Sequence, residues 1–232
     1  GGEVQHTGVV PFLKKFESTV RCCTQNGIRG GSATVHFPIW HQEIQDILVL
    51  KNNKGTEDNR VRKLDYSIQI SQLFYERFIE DKEVSLFSPH DVPGLYESFG
   101  TDRFDELYHR YELDKSIPRK TIGGQELILD LLKERAETGR IYIMNIDHCN
   151  SHSSFQEKVN MSNLCQEITL PTDPIHHIDG AGEIALCILS AINVGKVQSD
   201  RELEDLCDLS VRALDEIIDY QEYPVKAAEI ST

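Results

Sequence analysis

Apolar residues recur at 9, 10, 12, 13, 16 and 20, close to the 3.6-residue period of one helical face, which predicts a helix over Val9–Cys22. It gives way to the turn-like Thr24-Gln25-Asn26-Gly27. The Gly-rich stretch NGIRGGSAT (26–34) leads into Val35-His36-Phe37 and an apolar-periodic stretch over 39–50. The polar KNNKGTEDNR (51–60) reads as a loop. Tyr66-Ser67-Ile68-Gln69-Ile70 alternates with the period of two of a strand, and Val84-Ser85-Leu86-Phe87 is another strand, closed by Ser88-Pro89.

The second half repeats this grammar. Apolar residues at 127, 128, 129, 131, 132 and 136 predict a helix over 125–137, with Gly139 where a helix C-terminus favours a left-handed residue. Three strands are expected next: 140–146, 163–170 and the apolar 183–189, whose composition predicts burial. A last helix, roughly 200–220, opens on the capping-box spacing Ser199-x-x-Glu202 and carries Leu203, Leu206, Leu209, Leu214, Ile217 and Ile218. Strands separated by helices, some apolar throughout, predict an α/β fold with parallel strands. No internal repeat, low-complexity run or linker interrupts the pattern, so one continuous piece of domain is expected.

Composition narrows the functional classes. The 232 residues carry 24 Lys and Arg against 38 Asp and Glu, a formal charge of -14, which argues against a footprint for DNA or RNA polymers. Any nucleotide must be held by local groups. Six cysteines (22, 23, 149, 165, 187, 207) form no C-x-x-C pair and no compact secreted framework, so a reducing, cytoplasmic setting is expected. No apolar run approaches the roughly 18 residues of a membrane span, and no leader pattern is present. The chain opens on Gly1-Gly2 and closes on Ile230-Ser231-Thr232, which suggests a segment of something longer.

The chemistry concentrates in MSNLCQEITL (161–170). In an extended chain Asn163, Cys165 and Glu167 would share one face, with Leu164, Gln166 and Ile168 on the other. A hydrolytic cysteine needs a base to form thiolate, and a neighbouring carboxylate disfavours that anion through like-charge repulsion. The trio suits a reaction in which sulfur exchanges a hydrogen atom, the carboxylate handles a substrate proton, and the amide holds a hydroxyl. On its own the short motif is better read as an edge strand with one polar face.

The surrounding text adds to this. IYIMNIDHCNSHSSF, MSNLCQEITLPT, GEIALCILSAINVG, NGIRGGSAT, LVLKNNKG and SLFSPHDVPGLY, in order along essentially the whole chain, resemble the large catalytic subunit of class I ribonucleotide reductase. The resemblance implies part of a ten-stranded α/β barrel, with Cys165 on a central finger loop. It implies that Cys165 forms a transient thiyl radical that takes the ribose 3′ hydrogen and that Glu167 is the base at the 3′ hydroxyl. Asn163 would bind substrate hydroxyl and assist loss of water, and Cys187 would be one of two cysteines that reduce the substrate and end as a disulfide. Gln25, Arg29, Gly30 and Gly31 would belong to a specificity loop reading a deoxynucleotide effector, with 1–34 the effector-loop and dimer-helix region and 140–195 the finger loop and active-site strands.

Further expectations rest on the same resemblance: ribonucleoside diphosphate substrates, dNTP or ATP effectors, and a homodimer. Thioredoxin or glutaredoxin would be the reductant, and a separate metal-containing small subunit would supply the radical, with no cofactor or metal bound by this segment. The partner of Cys187, most of the effector site, the substrate-phosphate loop and the radical-relay tyrosines are absent from the sequence. Activity is therefore expected only with the remaining large-subunit segments. The alternative is a non-catalytic remnant that keeps a dimerisation or effector-sensing surface; another radical enzyme of the same barrel superfamily fits the blocks less well.

Other groups read more plainly. Asp147-His148-Cys149 with His152 matches no structural zinc spacing. His176-His177 is expected in a solvated loop, Cys22 and Cys23 cannot readily pair as neighbours, and Cys207, Phe12, Phe16 and Trp40 are expected in the core.

Overall fold

A computed structural model describes residues 7–177, 180 and 182–231. The chain divides into two compact units, Gly1–Thr169 and Leu170–Thr232.

In the first unit, helix α1 (Val9–Cys22) runs into a short hairpin of β1 (Thr24–Gln25) and β2 (Arg29–Gly30). Strand β3 (Thr34–Pro38) follows, then α2 (Ile44–Leu48), a 3-10 turn at Glu57–Asn59, and β4 (Asp65–Ile70). Next come α3 (Gln72–Ile79), β5 (Glu83–Leu86), α4 (Leu95–Ser98), α5 (Arg103–Leu113), β6 (Lys120–Gly123), α6 (Gly124–Thr138), β7 (Ile141–Asn145) and α7 (Ile146–Ser151). β3, β4 and β7 form a parallel sheet with β4 in the centre, registered Thr34↔Asp65 and Tyr66↔Ile141; β5 and β6 pair antiparallel.

β4 is a strand as its alternation predicts, and Tyr66, Ser67, Ile68, Gln69 and Ile70 are all buried. A central parallel strand is covered on both sides, so its polar residues face a cover of protein. Aromatic rings dominate the core near α3 and α5: Phe74, Phe99, Phe104 and Tyr108 stack at centroid distances of 4.6 to 6.3 Å. The Tyr108 hydroxyl donates to Ser85 O at 2.7 Å and accepts from Ser85 N at 2.8 Å, so its buried oxygen is satisfied from β5. Trp40 belongs to this core, as expected.

The second unit contains a 3-10 turn at Val194–Lys196, α8 (Asp200–Tyr220) and α9 (Lys226–Ile230). The Ser199 side chain accepts from Glu202 N at 3.2 Å, capping one free donor of α8 as the spacing predicted, while the Glu202 carboxylate reaches past the cap to accept from Gln198 N at 2.6 Å.

Several expectations fail. Within 39–50 only Ile44–Leu48 is helical, the rest being turns and the bridge of His41 to Phe87. The stretch 163–170 is a turn followed by irregular chain, and 183–189 makes only a bridge from Glu183 to Asp173. An apolar or alternating run records what its side chains suit; a strand also needs a partner edge for its N–H and C=O groups, and among the described residues neither stretch has one beyond that single bridge. The 183–189 segment is mostly exposed, with Leu189 at 74%. Phe12 and Phe16 lie outside the core at 53% and 58% exposure, and Cys207 is exposed on α8, where Leu203, Leu206, Leu214 and Ile218 are half-buried and no residue is fully buried. The described strands form no closed barrel.

Candidate functional site

The candidate site is a turn laid on one face of the parallel sheet. Register places Thr34 and His36 of β3, Ser67 and Gln69 of β4, and Tyr142 and Met144 of β7 on that face. The segment covering it is fastened at successive points. Asn150 grips Val159, its Nδ2 donating to Val159 O at 3.0 Å and its Oδ1 accepting from Val159 N at 2.8 Å. Gln69 Nε2 donates to Asn160 O at 2.6 Å. Ser162 N donates to His36 Nε2 at 3.4 Å, and burial pushes the His36 imidazole below its usual range, which favours the neutral, accepting ring. Thr34 Oγ1 donates to Leu164 O at 2.7 Å.

The chain then reverses. Gln166 N donates to Asn163 O at 3.2 Å, closing a turn with Leu164 and Cys165 at its centre, and Gln166 takes a left-handed φ of 66°. Gln166 Nε2 donates to Ile143 O at 2.9 Å, so the far side of the turn is tied to β7. Asn163 Oδ1 accepts from Ile168 N at 3.1 Å and lies 3.1 Å from Ser162 Oγ, which also reaches Ile168 O. With its carbonyl oxygen spent on the loop, Asn163 offers a ligand the two N–H donors of Nδ2.

Asn163, Cys165 and Glu167 therefore share a pinned turn and not a strand face. Cys165 and Glu167 are exposed, whereas Asn163 is half-buried like Leu164, Gln166 and Ile168, so the three do not present one common face. Cys187 is exposed and belongs to the second unit.

The Gly-rich hairpin lies beside the turn. Asn26 and Gly27 take φ of 52° and 69° between the paired residues Gln25 and Arg29, and Ile28 stands 91% exposed in the loop. Gly31 N donates to Cys23 O at 3.2 Å, and a Cβ on Gly31 would come within 2.1 Å of the Val20 carbonyl oxygen, a gap only glycine fits. A cavity of about 340 Å³ is lined by Cys23, Thr24, Arg29, Gly30, Gly31 and Leu164, so hairpin and cysteine turn share one wall. A larger cavity of about 530 Å³ holds Lys51, Lys54 and Arg62 among its lining, but these pair with Asp65, Glu137 and Glu57 and serve the fold.

Sequence reasoning passed over Thr34, His36, Gln69 and Gln166, which seat the turn. For Thr34, His36 and Gln69 the signal was polar residues at alternate positions within otherwise apolar strands, whereas Gln166 sits in the turn. Asp147, His148 and Cys149 lie on α7 with His152 just beyond; burial pushes the Cys149 thiol up and Asp147 adds to it. No group of three His, Cys, Asp or Glu side chains among the described residues is gathered to hold a metal ion. Among them, too, no helix is long and apolar enough to cross a membrane.

Fold and turn together define an α/β protein that presents a thiol between an amide and a carboxylate. The barrel-domain model of ribonucleotide reductase matches residues 1–232, and the chain belongs to that family. The chain is 55% identical to the ribonucleoside-diphosphate reductase subunit alpha of Haemophilus influenzae, over 100% of this chain and 32% of that protein. It is 47% identical to the enterobacteria phage T4 subunit alpha, over 98% of this chain and 31% of the relative. With subunit alpha of reductase 1 from Escherichia coli K12 it shares 52% identity over 76% of this chain and 24% of that protein. The chain spans about a third of the length of the first two relatives.

Proposed function

We propose that this chain is the active-site segment of a ribonucleotide reductase large subunit and takes part in reducing ribonucleoside diphosphates to deoxyribonucleoside diphosphates. The observation that carries the reading is the exposed Cys165 at the centre of a turn tied to β3 and β7, flanked by Asn163 and Glu167. In this reading the 159–168 segment is the finger of the family barrel. Cys165 exchanges a hydrogen atom with ribose C3′, Glu167 accepts the 3′-hydroxyl proton, and the Asn163 N–H donors hold substrate hydroxyl as water departs. Overall one water leaves and a thiol pair, of which Cys187 is a member, is oxidised to a disulfide. The oxidising equivalent comes from a separate metal-containing small subunit, and thioredoxin or glutaredoxin renews the thiols.

Region 1–34 serves regulation in the same reading, and 140–195 the chemistry. Gln25, Arg29, Gly30 and Gly31 read a dNTP effector, and the cavity shared with Leu164 supports a route from that hairpin to substrate. The exposed Phe12 and Phe16 on α1 support a homodimer helix there.

The test uses the complete large subunit containing this segment, mixed with its radical-supplying subunit, effector and reductant. Cys165→Ser is expected to leave substrate binding intact and abolish deoxynucleotide formation. Retained turnover would show that the chemistry lies elsewhere and favour a regulatory remnant.

A further inference from the structure

Leu164 and Thr34 are 130 residues apart in sequence and joined by a 2.7 Å hydrogen bond. The accepting carbonyl belongs to the Leu164–Cys165 peptide, so its orientation sets the plane from which the Cys165 side chain departs. Thr34 is the first residue of β3 and lies four residues beyond Gly30, the end of β2. Between them Gly31 is fixed by its bond to Cys23 O and its close approach to Val20 O, and Ala33 O accepts from Asp65 N at 2.9 Å, so the link from hairpin to Thr34 is short and held at both ends. On the other side of the turn stands the bond from Gln166 Nε2 to Ile143 O. The turn is held from two strands, and of its ties the Thr34 bond lies nearest the hairpin along the chain.

We propose that Thr34 is a positioning residue for Cys165, its hydroxyl seating the Leu164–Cys165 peptide relative to the Gln25–Gly31 hairpin so that the hairpin's state is felt at the thiol. This rests on the reading of Cys165 as the reacting thiol. Loss of the hydroxyl leaves the turn tied to β7 through Gln166 and to β3 through Ser162 and His36, but releases the Leu164 carbonyl from its seat. Binding groups on Asn163 and Glu167 remain, so the loss is expected in the chemical step more than in substrate affinity.

The experiment places Thr34→Val, Thr34→Ala, Thr34→Ser and Cys165→Ser in the complete large subunit, assayed with its radical-supplying subunit. Valine keeps the β-branched shape and removes the donor, alanine removes both, and serine restores the donor. Val and Ala are expected to lower kcat roughly tenfold with KM little changed, and to flatten the change of substrate preference between two effectors; Ser is expected to restore both. A parallel readout is the rate of iodoacetamide alkylation at Cys165 relative to Cys22 in the same molecule, which Val and Ala shift and Ser returns.

Wild-type kcat in T34V, or a serine variant no better than valine, overturns the proposal. So would failure of both Val and Ala variants to fold, since Thr34 would then be structural. Turnover by Cys165→Ser would instead remove the functional reading beneath it, whereas an inactive Cys165→Ser beside an unaffected T34V overturns the Thr34 inference alone.

Discussion

Gly31 is where the sequence is least free to change. A methyl group there meets the Val20 carbonyl oxygen at 2.1 Å, and the obstacle is main chain of α1, which cannot swing aside as a side chain would. Gly31→Ala is expected to cost roughly 1 to 3 kcal/mol in urea unfolding and to displace the hairpin from the cysteine turn. Wild-type stability would show that α1 and the hairpin move apart without penalty. At this scale the sequence revealed the order of groups: a thiol between an amide and a carboxylate is visible in N-x-C-x-E, but the shared face of an extended chain is lost in the turn, where Asn163 is half-buried. Their support was hidden, because the seat is built from Thr34, Gln69 and Gln166, whose partners are main-chain carbonyls far away in sequence. A side-chain pattern carries no record of a distant backbone acceptor.

Elements were legible where local signals agree. Gly139 closes α6 with φ of 64° and an N–H to Arg135 O at 2.8 Å, and Val9–Cys22 is helical as its period predicts. The 163–170 and 183–189 stretches were misread because alternation and apolarity describe side chains, whereas pairing is decided by a neighbouring edge. Helices α3 and α5 drew no notice, though they frame the aromatic core, and one ion pair joins them. Arg77 Nη1 and Nη2 meet Glu112 Oε1 and Oε2 at 2.7 and 2.5 Å, and Nη1 also donates to Glu83 O at 2.7 Å, with side chains only 11% and 18% exposed. Arg77→Met is expected to cost about 3 kcal/mol, chiefly because it strands the Glu112 carboxylate, and Arg77→Met with Glu112→Leu is expected to recover part of that. A double variant as unstable as the two single losses added together would mean that each residue acts through other contacts.

Across the whole molecule, burial is unevenly shared. The described residues of 7–169 contain a continuous core from Leu13 to Val159, whereas those of 170–232 bury only Ala227 and Ala228 among hydrophobic side chains. Local opening free energy follows buried apolar contact, so the second unit should open far more readily. Leu186 and Leu189, at 38% and 74% exposure on a segment without regular structure, are accessible sites for thermolysin, which cuts beside large apolar residues. The first cuts in this chain are therefore expected within 170–198, with a product containing the β3–β4–β7 sheet persisting. Early cuts within β4, or equal survival of both units, would contradict this account of stability. The same apolar run also bears on Cys187, which lies within it. Its composition suits burial that the described residues do not supply, and the proposed chemistry requires Cys187 to hold a fixed place. In the complete large subunit the bonds around Leu186 and Leu189 should thus resist thermolysin; rapid cutting there would leave Cys187 without the fixed setting that substrate reduction demands.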